Sequence, residues 1–170
     1  MKTHSVLVVI DVQNDFVSGS LGTSEAQVIV PKVAEKIRNW KGDIIYTRDT
    51  HSGNYLETRE GKNLPIIHCI EGTEGWQIVP DVLIENAVIV NKNTFGSLEL
   101  PEIISKFDNV SKIEVVGLVL NICVVSNLLI LKSKFPELNI ILDSNCTAAT
   151  SKEDFDAAIR VLKSNQIDIV

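Results

Sequence analysis

Short runs of valine, isoleucine and leucine, unbroken by polar residues and separated by stretches of helical periodicity, limit what this chain can become. A strand that is apolar on both sides cannot keep one face in water, so it belongs inside a sheet covered on both faces. Residues 5–10 (SVLVVI) are the first such run; 43–47, 87–90, 113–120, 139–142 and 166–170 follow. After the first run, Val30, Val33, Ala34 and Ile37 recur at helical spacing, which predicts a helix from about residue 26 to 40 with Gly42 just past its end. Residues 122–131 are apolar nearly all round, as a buried helix requires. Phe155, Ala158, Ile159 and Leu162 share one face of a last helix, capped by Ser151, with Glu153 and Asp154 in its first turn. Strands alternating with helices imply an α/β domain with a parallel sheet between two helical layers.

The 170 residues suffice for one domain with one core, and no linker or repeat divides them. A net charge of -6, with no lysine and arginine cluster to override it, argues against nucleic acid as a partner. Lys112, Lys132, Lys134 and Lys152 read as a solvated face. The opening MKTHSVLVVIDV ends its apolar run at an aspartate and has no small-residue cleavage site, so it reads as a buried strand, not a signal peptide. No apolar run approaches the roughly 18 residues a membrane span needs, so no membrane partner is expected. Cys69, Cys123 and Cys146 are odd in number, widely spaced and without a C-x-x-C pair. That pattern fits a reducing compartment, and the expected location is the cytoplasm.

Active sites of such sheets gather beyond the carboxyl ends of the strands. Three groups that a core would not choose stand there. Asp11 follows VLVVI, Lys92 follows AVIV and Asn91, and Cys123 follows IEVVGLVL and opens the buried helix. A cysteine at a helix N-terminus gains from free N–H groups and the backbone dipole, which favour the thiolate. A nearby lysine stabilises that anion, and a carboxylate can take the proton. Alone, each residue has a plain reading: a core cysteine, a turn aspartate, a solvated lysine. Their joint placement favours a Cys–Asp–Lys site.

The loop after the second run holds another constellation. Asp49 and His51 stand two residues apart, His68 follows, and Glu57 and Glu60 lie between. One carboxylate and two imidazoles suit Zn²⁺, Fe²⁺ or Mn²⁺, with water or Glu60 in a further position. A hydrogen-bonded loop with incidental histidines is the other reading. Two of the chain's three histidines fall here, which tilts the balance to a metal.

D-V-Q-N-D-F at residues 11–16, N-K-N-T-F-G-S at 91–97 and G-L-V-L-N-I-C-V-V at 117–125 resemble the isochorismatase-like cysteine hydrolases. D-T-H at 49–51 and P-I-I-H-C at 65–69 resemble that family's metal-binding branch, the nicotinamidases. The resemblance covers nearly the whole chain with the motifs in order. It implies a three-layer α/β/α fold around a mostly parallel, Rossmann-like six-stranded sheet, in a single domain over residues 1–170. It implies a catalytic triad of Asp11, Lys92 and Cys123, and a divalent metal, zinc before iron or manganese, on Asp49, His51 and His68 with Glu60 as a further ligand. The Leu118–Val119 peptide bond is expected to be cis, with the Val119 and Cys123 N–H groups forming an oxyanion hole. Phe16 and Trp76 are the expected pocket walls, the substrate a small amide such as nicotinamide, and the assembly a homo-oligomer. Where relatives often carry Thr-Asp this chain has Leu120-Asn121, which bears on the pocket. The rival activities are hydrolysis of another small amide, a ureide or isochorismate; the rival of another kind is a non-catalytic interaction protein. No G-x-S-x-G elbow supports a serine hydrolase, and the turn after the first strand is not the glycine-rich turn of a nucleotide site.

Overall fold

All six apolar runs lie in or overlap strands of one sheet. A computed structural model describes residues 4–170; residues 1–3 of the expected domain lie outside the described residues. The strands are β1 (His4–Ile10), β2 (Asp43–Asp49), β3 (Val88–Lys92), β4 (Val110–Gly117), β5 (Asn139–Thr147) and β6 (Asp168–Ile169). They lie in the order β3-β2-β1-β4-β5-β6, and every pairing is parallel. The helices are α1 (Asn14–Val17), α2 (Ser24–Asn39), α3 (Arg59–Asn63), α4 (Glu99–Ile104), α5 (Val125–Lys134) and α6 (Lys152–Ser164).

Alternation along β1 divides the apolar interior in two. Leu7 and Val9 face a core completed by Ile29, Val33 and Ile37 of α2. Val6, Val8 and Ile10 face the opposite core, against Leu128 and Leu131 of α5 and Leu162 of α6. Both faces of β1 are therefore dry, which is why its sequence is apolar throughout. Thr23 caps α2 by accepting the Ala26 N–H at 3.0 Å, and Ser151 caps α6 through the Asp154 N–H at 3.0 Å. Among the described residues no helix is long and apolar enough to cross a membrane.

Of the boundaries that differ from the expected ones, two bear on the site. The fourth strand stops at Gly117, not residue 120, because Gly117 turns out of the ladder at φ 115° and the cis bond Leu118–Val119 follows. The helix expected at 122–131 starts as a π-helical turn, Leu120–Val124, and becomes α-helical only at Val125. Apolarity marks burial and cannot report such local changes of winding. The strand order reverses direction at β1 and β4, so a crevice opens beyond their carboxyl ends.

Candidate active site

At the end of β1 the chain leaves the sheet through Asp11, whose φ of 46° is uncommon for a residue with a side chain. Its N–H still reaches the Thr47 carbonyl at 3.3 Å, the last main-chain bond between β1 and β2. The turn buries the Asp11 carboxylate completely. Oδ1 accepts the Thr47 hydroxyl at 2.6 Å, and Oδ2 lies 2.6 Å from Lys92 Nζ. That second contact is a close ion pair, and because a carboxylate oxygen carries two lone pairs, Oδ2 can still accept from another donor. Lys92, the last residue of β3, also donates to the Thr94 carbonyl at 3.1 Å and stands 3.6 Å from Cys123 Sγ. The π turn after β4 presents that sulfur. Asp11, Lys92 and Cys123, predicted from three separate strand ends, thus converge.

Burial sets the charges of this cluster. It raises the Asp11 carboxyl above its ordinary range, Lys92 opposing and Asp49 reinforcing the rise. Burial alone would discharge Lys92, but the carboxylates of Asp11 and Asp49 and the Cys123 sulfur hold it as an ammonium. Burial and the neighbouring Asp11 carboxylate push the Cys123 thiol up, and Lys92 only partly offsets them. A helix terminus and a lysine do not outweigh full desolvation beside an anion.

The second constellation also closes up. One ligand atom from each of Asp49, His51, Glu60 and His68 lies within 4.8 Å of the others. His51 Nε2 is 3.0 Å from Asp49 Oδ2 and 3.6 Å from Glu60 Oε1; His68 Nε2 lies 3.6 and 3.7 Å from the same two oxygens. His68 Nδ1 sits 2.8 Å from the Ile66 carbonyl, which assigns the proton to Nδ1 and turns the Nε2 lone pair toward the carboxylates. His51 Nε2 is buried without a hydrogen-bond partner. A buried nitrogen left without a partner, two oxygens and a second imidazole facing one point fit a divalent ion. Burial opposes the ionisation of Asp49, yet the two histidines that face its Oδ2 and the Lys92 charge hold its carboxyl well below the usual range. Its Oδ1 lies 3.5 Å from Lys92 Nζ, so this one side chain joins the two constellations.

Between them lies a cavity of roughly 230 Å³. Its walls are mainly apolar, with Phe16, Leu21, Leu64, Phe95, Leu118, Val119 and Ile122, while Asp49, Glu60, His68 and Cys123 bring polar atoms to it. Phe16 is one of these walls. Trp76 is not, and that expectation is corrected. Its ring lies under the Arg48 guanidinium, 3.4 Å from the ring centre, and its Nε1 donates to Thr50 Oγ1 at 2.8 Å. Leu120 is fully buried in the core. Asn121 exchanges hydrogen bonds of 2.9 and 3.2 Å with Thr150, steadying a cavity-lining loop. Sequence reasoning passed over Phe95 and Ile122 as walls, and Thr47 as the partner of Asp11. Phe95 stood inside a quoted motif; Thr47 looked like any residue of a strand.

Residues 5–170 match the isochorismatase domain family. The chain belongs to the isochorismatase family. Among solved structures, the pyrazinamidase of Pyrococcus horikoshii in complex with zinc is 30% identical, with a TM-score of 0.87 over 98% of each chain. The nicotinamidase/pyrazinamidase of Acinetobacter baumanii is 19% identical, with a TM-score of 0.85 over 100% of this chain and 97% of that one. An L. infantum protein in complex with nicotinate is 18% identical, with a TM-score of 0.87 over 99% and 92%. At such identities the last two establish the shared isochorismatase fold alone. None of the curated proteins matches the sequence.

Proposed function

We propose that this family member is a cysteine amidohydrolase that converts nicotinamide and water to nicotinate and ammonia. The observation that carries the proposal is the single cavity onto which both the Cys123 thiol and the Asp49–Glu60–His68 side of the ligand cluster open. Apolar walls around a space of roughly 230 Å³ suit one aromatic ring with a small polar substituent. A zinc-bound pyrazinamidase and a nicotinate complex among the structural neighbours support the same class of substrate.

Asp11 takes the thiol proton as Cys123 Sγ attacks the amide carbonyl carbon, and Lys92 holds both anions. The oxyanion that develops accepts from the Val119 and Cys123 N–H groups; losing one such donor typically costs about 3 kcal/mol. Asp11 then returns its proton to the departing ammonia, leaving an acyl thioester on Cys123. A water attacks that thioester while Asp11 again accepts a proton, and nicotinate leaves as the thiol is restored. Asp49, His51, His68 and Glu60 would hold a divalent ion, zinc before iron or manganese, which would supply Lewis acidity toward the pyridine ring of the substrate.

Ammonia release from nicotinamide by the purified protein tests the proposal. The wild type is expected to be active and Cys123→Ala inactive, while joint replacement of Asp49 and His51 by alanine removes bound metal together with activity. Undiminished ammonia release by Cys123→Ala sinks the thioester route.

A further inference from the structure

The parallel ladder between β1 and β2 should leave Asp49 unpaired. Its last main-chain bond is Asp11 N–H to Thr47 O; beyond it the chain turns, and the Asp11 carbonyl accepts the Gln13 N–H at 2.8 Å instead of an amide of β2. Asp49 is nearly buried, so its N–H and carbonyl on that side need partners from elsewhere. Both come from one side chain. Gln13 Oε1 accepts the Asp49 N–H at 2.7 Å, and Gln13 Nε2 donates to the Asp49 carbonyl at 2.9 Å. The carboxamide takes the place that a peptide group of a longer β1 would occupy. Its remaining N–H goes to the Trp76 carbonyl at 2.8 Å, and Gln13 is wholly buried.

We infer that Gln13 is a positioning residue for this centre: it clasps the Asp49 backbone, and so fixes a carboxylate that faces Lys92 with one oxygen and the histidine pair with the other. Its three side-chain hydrogen bonds all go to main-chain groups, none to the thiol or to a ligand atom of the cluster. Asp49 Oδ1 stands 3.5 Å from Lys92 and Oδ2 stands 3.0 Å from His51, so a small shift of its backbone is felt on both sides. The inference rests on the metal and thiol roles proposed above.

Two variants test it. Gln13→Glu keeps the shape and the acceptor but loses both N–H donors; Gln13→Met removes all three bonds at similar volume. Zinc affinity by chelator competition, kcat/KM for nicotinamide and the alkylation rate of Cys123 by iodoacetamide are measured on protein verified as folded by circular dichroism. Zinc affinity is expected to fall at least tenfold in each variant, the scale on which second-layer partners of metal ligands act. In Gln13→Glu the added negative charge would by itself tighten binding of a cation, so weaker binding there reports lost position. Trp76→Phe, which leaves the clasp intact, should stay within twofold of wild type. Variants that lose thermal stability but keep zinc affinity, kcat/KM and alkylation rate within twofold overturn the inference, since the clasp is then structural only. A wild type that binds none of zinc, iron(II) and manganese(II) refutes the metal role, and one that releases no ammonia from nicotinamide refutes the nicotinamidase role. In either case the clasp is judged by the remaining measurements, of which Cys123 alkylation depends on neither and is expected to change at least threefold.

Discussion

At Asp11 one carboxylate lies within reach of an ammonium and a thiol, and its protonation decides whether the thiol can be discharged. Burial, the largest influence on it, lifts its affinity for a proton above that of an ordinary aspartate. The base form is the active one, so activity should fall as pH drops through this raised value. The acid limb of kcat/KM for nicotinamide is therefore expected above the ordinary 3.8, and Asp11→Asn should lose about 10²–10⁴-fold in kcat/KM. An acid limb at or below the ordinary value, or an active Asn variant, removes Asp11 from the role of base. Asp11, Lys92 and Cys123 were readable because each is a reactive group placed directly after an apolar run, where a core has no use for it. The ionisation of the thiol was not, because it depends on how completely three distant segments bury it. Trp76 was misread for a related reason: an aromatic residue near a motif carries no sign of whether its ring faces a cavity or, as here, a guanidinium. Gln13 stood within the quoted D-V-Q-N-D-F, yet nothing in that string shows that the next residue of the ladder would be left unpaired.

Among the elements, the junction from β4 to α5 does most to shape the cavity. Gly117 takes a φ of 115°, and a Cβ built there would stand 2.1 Å from the Ile10 carbonyl oxygen and 2.7 Å from its nitrogen. Neither contact can be relieved by rotating a side chain, because both are with backbone at the end of β1. Gly117→Ala is thus expected to destabilise the fold by about 3 kcal/mol or more, combining left-handed strain with overpacking. Urea unfolding followed by circular dichroism measures this, and a loss under 1 kcal/mol would show that the two strand ends can separate. Apolar runs located the strands and helical spacing located α2 and α6, because each has one or two faces that must be dry. The short helices α1, α3 and α4 escaped, with only 4, 5 and 6 residues in which to show a period. The π turn escaped as well, since apolarity marks burial and not the winding of the backbone.

On the scale of the molecule, the sheet separates two dry cores, and one buried ionic network crosses the side covered by α2. Lys36 on α2 pairs with Glu114 on β4 and, at 2.7 Å, with Asp143 on β5; Lys112 adds a second cation at 3.1 Å from Glu114 while lying over the Trp40 ring. Lys112 is therefore not simply part of a solvated face. The order of the six strands was not readable at this scale, since the pairing of distant runs leaves no mark on any one of them. The network was not readable either: Lys36 follows the polar pattern of an exposed helix flank. Its consequences for stability have definite signs. For Asp143, burial favours the protonated form, but Lys36 and the Asn145 N–H outweigh it and lower the folded value beneath 3.8. That contribution is complete above 3.8 and is lost as pH falls through the folded value. For Lys36, burial is outweighed by the two carboxylates, and the folded value rises above 10.5. Its contribution is complete below 10.5 and is lost as pH climbs past the folded value. Between these limits Lys36→Met leaves Glu114 and Asp143 without their shared cation, and the expected cost is about 3 kcal/mol, the low end for a broken buried pair because water still reaches the ammonium. Urea midpoints for wild type and Lys36→Met should converge as pH falls through the lowered folded value of Asp143, below which that carboxyl is neutral in both. A gap that persists unchanged into strong acid would mean that the lysine stem packing on α2, and not its charge, ties this helix to the sheet.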